Sequence, residues 1–576
     1  MGRRDANQQV LQMTAVLAHR GPDGAGVFRA GPEAALGHAR LAVVDLSEAG
    51  AQPMTSRDGR WTMVLNGEIF NYRELRKGMG RISWRSTTDT EVLLEACAAW
   101  GIEQALHRSI GMFAFALWDA REKELTLVRD RMGEKPLVYF EQGSTLAFAS
   151  ELKALRGFHD GRLDAAAVEV YLALGYIPAP LAIFRNVRKL SAGHRLRWKN
   201  GKSTVERWWF PERSRSVVER TPAGRIEQVR SLLGDAVRLR LQADVPLAVA
   251  LSGGVDSSVV AAEAVNQNAR LDAFTVIAEG DETDLPYASS MARRHGLAHE
   301  VVRLPAIAPA RRVLQAVEHY DEPFADSSAL CSLDLARTLA GRYKVILNGD
   351  GGDEAFAGYR SYTRIAMKQA IKTAAAVVGM VDGNGRTSVY VQSRALFRQH
   401  ECSELMRSKV MNVHASGGAL PRLLAADEYL RALPGGSALK RALWTDRHLH
   451  LANGLTHKTD MALGAYGLEG RAPFLDHRIL EWTQALPSRD LVHGQERKIL
   501  LRKAYRAELP QEIITRPKHG FGAPIGAWLD GPLREMVQDS LPCSLLDAAL
   551  QKTARGQRQW TLLMFARWAA KWRATW

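Results

Sequence analysis

The chain has 576 residues, too many for one ordinary core, so at roughly 150 residues per domain two to four domains are expected. Hydrophobic residues make up 46% and charged residues 24%, with glycine and proline scattered, which excludes disordered, collagenous and low-complexity polymers. A net charge of +15, all of it after residue 150, proposes an anionic partner such as a phosphate, a nucleic acid or a membrane surface.

In chain order, residues 1–150 hold short apolar runs at 35–45, 61–65, 112–118, 125–128 and 146–150, separated by Gly and Asp. They predict an antiparallel sheet with a few helices, one over 89–100. The stretch 196–222 is polar and irregular and reads as a connection between domains. Helical periodicity over 225–241 then leads into the apolar run 245–251, a glycine turn and a further helix through 259–264, the alternation of an α/β parallel sheet. Beyond about residue 358 the pattern is mostly helical. The expected organisation is therefore one domain over 1–195, a linker over 196–222 and a second domain over 223–576.

No apolar run approaches the ~18 residues of a membrane span. The first residues do not open a secretory core, and Cys97, Cys331, Cys402 and Cys543 are widely spaced. A cytoplasmic protein in a reducing compartment is expected.

The strongest local signal is Ser252-Gly253-Gly254-Val255-Asp256-Ser257-Ser258, placed between a strand and a helix. Its glycines let the backbone approach an anion, and its amides with the helix N-terminus suit a pyrophosphate. Ser252 and Ser257 add hydroxyl donors, and Asp256 is placed to hold a Mg²⁺ that neutralises the phosphates. The bland alternative is a turn that only joins strand to helix. A second cluster runs from Lys344 through Asn348, Gly349, Asp350, Gly351 and Gly352 to Asp353 and Glu354. Three acids in five residues are costly unless a cation shares the site. Asp353 fits a metal ligand and Asp350 fits work at a reacting carboxyl, against the alternative of a solvated acidic turn. The predicted strand 271–277 offers Val276 to an adenine ring. Lys498 and Lys518 are candidates to stabilise a departing pyrophosphate, against the ordinary reading of solvated lysines.

Together with Arg20-Gly21-Pro22-Asp23-Gly24, Asn66-Gly67-Glu68, Thr88-Asp89, residues 129–137 and residues 468–477, these segments resemble the glutamine-hydrolysing asparagine synthetases, in order and over nearly the whole chain. The resemblance implies an α+β N-terminal-nucleophile-hydrolase sandwich, followed by an α/β parallel-sheet ATP-pyrophosphatase domain with a mostly helical C-terminal part. It implies that ammonia released from glutamine passes through a channel to the second domain, where ATP adenylates aspartate and ammonia displaces AMP. By motif position, Arg40 and Asp89 would hold glutamine's carboxylate and amine, Asn66 and Gly67 would form the oxyanion hole, and Glu68 would also face the substrate. Leu251, Ser252, Gly253, Gly254, Asp256, Ser257, Val276, Asn348 and Gly349 would contact ATP, Asp350 would act on the adenylate and Lys518 would touch phosphate.

One departure is plain. The family's nucleophile is a cysteine exposed as the first residue, whereas this chain reads Met1-Gly2, and no apolar strand precedes Arg20. The sandwich is thus expected to lack its first strand. Either the recorded start lies inside the gene, which the match at Arg40, residues 66–68 and Asp89 favours, or the chain uses free ammonia, or another nucleophile serves as in β-lactam synthetases. Alternatives for the reaction are amidation of a different carboxylate, with Ser327 and Ser328 in the region facing the acceptor, RNA modification, and a catalytically inactive binding protein. Small-molecule partners are expected, with no nucleic acid or membrane; a homodimer is compatible. The tail, with Trp560, Trp568, Trp572 and Trp576 among six basic residues, predicts a packing helix.

Overall fold

The computed structural model describes residues 6–31, 34–80, 82–211, 217–277, 282–303, 307–374, 394–406, 418–426, 437–517 and 522–576. In the amino-terminal half, β1 (Gly24–Arg29) and β2 (Ala35–Arg40) form a hairpin. They are followed by β3 (Met54–Thr55), β4 (Trp61–Ile69), β5 (Gly111–Asp119), β6 (Glu124–Arg129), β7 (Val138–Gln142), β8 (Thr145–Ala149), β9 (Val187–Lys189), β10 (His194–Lys199) and β11 (Lys202–Arg207). A six-stranded antiparallel sheet has the order β11-β10-β6-β5-β4-β3, and a second has the order β8-β7-β9.

The period of two along each strand builds the layers. On one face of the large sheet Met63, Leu65, Phe113 and Phe115 pack with Val92, Leu93 and Ala96 of the helix Asp89–Trp100. On the other face Val64, Ala114 and Ala116 meet Leu137 and Tyr139 of the second sheet. The far side of that sheet, through Val138, Phe140 and Ala147, covers Val168 and Tyr171 of the helix Ala165–Leu174. The result is helix, sheet, sheet, helix. Ahead of Arg20 lies the helix Ala6–Val16, laid on β2 with Thr14 and Val10 against Gly37.

The second half carries a parallel sheet of order β14-β13-β12-β15-β16, from β12 (Leu247–Ala250), β13 (Asp272–Ile277), β14 (His299–Arg303), β15 (Val345–Leu347) and β16 (Glu469–Arg471). Val249, Val345 and Leu347 face the helices Pro222–Arg240 and Val255–Asn266. Ala248, Phe274 and Ile346 face the helices Ser328–Leu339 and Thr456–Gly464. Both faces are covered, as an all-parallel sheet requires. After β15 the structure is mostly helical and ends in the helix Gln557–Trp572. Trp560 and Trp568 are buried there and donate their indole N–H groups to Ala325 O (3.1 Å) and Asp321 O (2.9 Å). The tail is a packing helix; Trp576 lies beyond its end and bonds Leu545 O at 2.9 Å.

One expectation is corrected. The stretch 196–222 does not begin as a connection: most of β10 and all of β11 lie in it and form the edge of the large sheet. Edge strands keep one side and one face in water, so their sequence reads as polar. The turn Asn200-Gly201, with φ of 52° and 73°, was the available signal.

Candidate functional site

The two loops after β12 and β15 flank the point where the strand order reverses, the crevice in which open parallel sheets bind ligands. After β12, Gly253 adopts φ +63° and turns the chain into the helix Val255–Asn266. Ser257 Oγ accepts the Ser252 N–H at 3.2 Å and lies 3.0 Å from Ser252 Oγ, closing the loop on itself. Leu251 is buried beneath, and its carbonyl accepts the Thr275 hydroxyl at 2.6 Å. After β15, Asn348 Oδ1 accepts the Asp350 N–H at 3.0 Å. Gly349 sits so close to the first loop that a Cβ there would lie 2.8 Å from both Asp256 Cβ and Ser257 N.

Asp256 and Asp353, one from each loop, converge on Lys498, which bonds Asp256 and lies 2.6 Å from Asp353 Oδ1. Burial alone would lower the lysine's pKa; the two carboxylates reverse this and raise it. Lys498 itself has φ +54° at the start of the helix Ile499–Ala504. Two carboxylates beside an anion loop suit Mg²⁺, which takes one or two carboxylates and completes its shell with phosphate and water. Among the described residues no group of three or more metal-binding side chains occurs, so phosphate oxygens would have to supply the rest. Val276 is half-buried on β13. Lys518 lies outside the described residues.

Sequence reasoning missed Arg516. It donates to Ser252 O (3.2 Å), pairs with Asp284 and stacks over Tyr287 at 4.0 Å, which holds the first loop from outside. Its place two residues before Lys518 was the only signal.

In the amino-terminal half, Arg40, Asn66, Gly67, Glu68 and Asp89 all line one cavity of about 1330 Å³. Arg40 donates to Ser47 O (2.9 Å) and to Asp45 O, and Asn66 Nδ2 to Ser150 Oγ at 3.3 Å. Asp89 accepts from Ile69 N–H at 2.8 Å and from the Thr88 hydroxyl at 3.1 Å, yet burial pushes its pKa up to about 6. Burial, and then neighbouring Asp89, hold Glu68 well above the usual carboxylate range, although Arg471 opposes this. Burial lowers His38 to about 4, so its ring is neutral. Among the described residues no cysteine lines the cavity; Cys97 is buried in the helix Asp89–Trp100 and its thiol is pushed up to about 12.

The cavity also touches Gly464, Leu468 and Glu469 of the second half. A file of alternating charges follows this seam. Arg20 bonds Glu151 (2.9 Å) and Asp460 (2.6 Å), and Lys135 reaches Asp460 (3.4 Å) and Glu469 (3.7 Å). Arg471, fully buried, bonds Glu469 (2.9 Å) and Glu68 (3.2 Å). Arg471 O in turn accepts the Asn348 N–H at 3.0 Å.

A layered sandwich enclosing a polar cavity, joined to a parallel sheet with two anion loops at its switch point, defines a two-domain amidotransferase coupled to a nucleotide site. A family model described as a glutamine amidotransferase domain matches residues 1–209, and one described as asparagine synthase matches residues 228–570. The chain belongs to the asparagine synthase family. It is 27% identical to asparagine synthetase (glutamine-hydrolyzing) 1 of Bacillus subtilis (strain 168), over 98% of this chain and 94% of that one. Asparagine synthetase (glutamine-hydrolyzing) 3 of the same organism is 29% identical, over 89% of this chain and 84% of its own length. Amidase chyE of Penicillium rubens is 28% identical, over 91% and 86% respectively.

Proposed function

We propose that the protein converts aspartate to asparagine through a β-aspartyl-AMP intermediate, using ATP and ammonia. The observation that carries this reading is the convergence of both switch-point loops on Lys498, beside two glycine turns open to an anion. An aspartate β-carboxylate oxygen attacks the α-phosphorus of ATP and the bond to the β-phosphate bridging oxygen breaks, releasing pyrophosphate. Ammonia then attacks the acyl carbon, loses a proton, and AMP departs with the electrons of the acyl C–O bond. The activation is needed because a carboxylate is a poor electrophile and loses oxide only with difficulty.

Within this reading the amides and hydroxyls of the Ser252–Ser257 loop receive the pyrophosphate, and Leu251, Val276 and Asn348-Gly349 flank the nucleotide. Asp256 and Asp353 would hold Mg²⁺, which neutralises the phosphates when bound. Lys498 leaves the carboxylates to follow charge onto the departing pyrophosphate, and by motif position Lys518 would also contact phosphate. Asp350 works at the reacting carboxyl. In the other half, Arg40 and Asp89 hold glutamine's α-carboxylate and α-amine by charge-assisted bonds, with Glu68 beside them. Asn66 and Gly67 face the amide oxygen. The reach of the cavity to Gly464 and Glu469 supports a route for ammonia between the halves.

The test is pyrophosphate release with ATP, Mg²⁺, aspartate and either glutamine or an ammonium salt. Release with asparagine as co-product is expected, and Lys498→Met should lower it about 100-fold or more by removing a cation from the leaving group. A second reading is amidation of another carboxylate. No release with aspartate, but release with other carboxylic acids, would select that reading.

A further inference from the structure

The strands β12 and β13 separate one rung earlier than their register allows. They pair in parallel through Ala248 with Asp272, Val249 with Ala273 and Ala250 with Phe274. Leu251 N–H then donates to Phe274 O at 2.8 Å, whereas Ala273 N–H donates the other way, to Ala298 O at 2.8 Å beside β14. In a parallel ladder each residue turns its N–H and C=O to the same side, and neighbours along the strand alternate. Phe274 and Val276 therefore face β12, while Ala273 and Thr275 face β14. The next rung in register is Val276 N–H to Leu251 O. That rung is not made between these two residues, and β12 ends at Ala250.

A side chain holds the carbonyl instead. The Thr275 hydroxyl donates to Leu251 O at 2.6 Å, and Thr275 is fully buried. A threonine hydroxyl has one hydrogen, so at its second contact, 2.8 Å from His299 Nε2, it accepts. His299, on β14, thus carries a hydrogen on Nε2 and donates it. That donation polarises the threonine O–H and strengthens its bond to the carbonyl. One directional chain, His299 to Thr275 to Leu251, crosses the strands and ends where the chain turns into the glycine loop. The fold alone did not need it: an apolar β-branched residue at 275 would suit a buried strand, and the next rung would satisfy the carbonyl. What the hydroxyl does is keep the Val276 amide out of the sheet.

We propose that Thr275 and His299 are positioning residues for the nucleotide: by occupying the Leu251 carbonyl they hold the last rung between β12 and β13 open and leave the Val276 amide to the ligand. This rests on the reading above, in which Leu251 and Val276 flank the nucleotide. Neither side chain touches the reacting atoms. Without the hydroxyl, Leu251 O and the Val276 N–H become partners in register, the sheet closes by one rung, and the nucleotide has to break that rung before it binds.

The experiment measures binding of ATP with Mg²⁺ by calorimetry in the full-length protein, alongside hydrogen exchange resolved to the Val276 amide. Thr275→Val keeps the shape and removes the hydroxyl. It should weaken ATP binding about tenfold, as expected for one net hydrogen bond, and raise KM for ATP with little change in kcat. Without ATP it should also slow exchange at Val276, whereas a merely structural loss of the hydroxyl would loosen the strand and speed it. Thr275→Ser should recover much of the affinity. His299→Phe should weaken binding less than Thr275→Val, and the double variant should bind no more weakly than Thr275→Val alone, because His299 acts through Thr275. Unchanged ATP affinity in Thr275→Val, exchange at Val276 that is not slowed, or effects of the two changes that add would overturn the proposal and leave the nucleotide reading standing. Wild type that binds no ATP would overturn both.

Discussion

Asp89 is a carboxylate whose environment has not been made comfortable for its charge. Two hydrogen bonds favour the ionised form, but complete burial outweighs them and lifts the pKa to about 6. In an unfolded chain the group titrates near 4. Between about pH 4 and pH 6 the native state therefore binds more protons than the unfolded state, and stability falls as pH rises through that window. The loss is on the order of 3 kcal/mol. Asp89→Asn should flatten the decline of Tm between pH 4 and pH 6 relative to wild type; profiles that stay parallel would show that Asp89 titrates normally. A bound ammonium group would supply the missing compensation, which suits the role proposed for this side chain.

At the scale of elements, the two switch-point loops are packed in direct contact. A methyl group at position 349 would meet Asp256 Cβ and Ser257 N at 2.8 Å, backbone and near-backbone atoms that cannot swing aside. Gly349→Ala is expected to part the loops and raise KM for ATP at least several-fold, with Tm lowered by only a few degrees. An unchanged KM would show that the approach is incidental. Much at this scale was legible in the sequence. The helix Asp89–Trp100 follows from its apolar spacing and its Thr88 cap, whose hydroxyl accepts the Thr90 N–H at 3.3 Å. The strand Asp272–Ile277 lies within the stretch its β-branched run suggests. The edge hairpin of β10 and β11 was not legible as strand, because solvent on one side removes the apolar signal. Arg516 was also invisible, since a lone cation looks the same in sequence whether it is solvated or braces a loop. Lys498 was distinguishable only once the fold set it between two acids more than 140 residues away.

At the scale of the whole molecule, the pair Glu68–Arg471 spans 403 residues of sequence and no local pattern could reveal it. Both members are buried, and Arg471 also donates to Arg240 O (3.0 Å) and Gln242 O (2.7 Å). Removing Arg471 would leave both Glu68 and Glu469 buried without it, and breaking a buried pair in this way costs about 3–5 kcal/mol. Arg471→Met should lower Tm markedly, and adding Glu68→Gln should restore part of the loss. A double variant as unstable as the sum of its single changes would show the two groups to be independent. The net charge also looks different at this scale. In the basic tail, Lys571 pairs with Glu318 and Arg558 with Glu401, so part of the excess serves packing and not an anionic ligand.

The same contact bears on inheritance. The acid at position 68 belongs to one half of the chain and its counterion to the other, so neither half carries the finished cavity. A recombinant that took its first 209 residues from one relative and the remainder from another would keep every motif and still fail wherever the two parents had settled the charge at this seam differently. Selection acting on one half would then be felt in the other, and the halves would have to diverge in step.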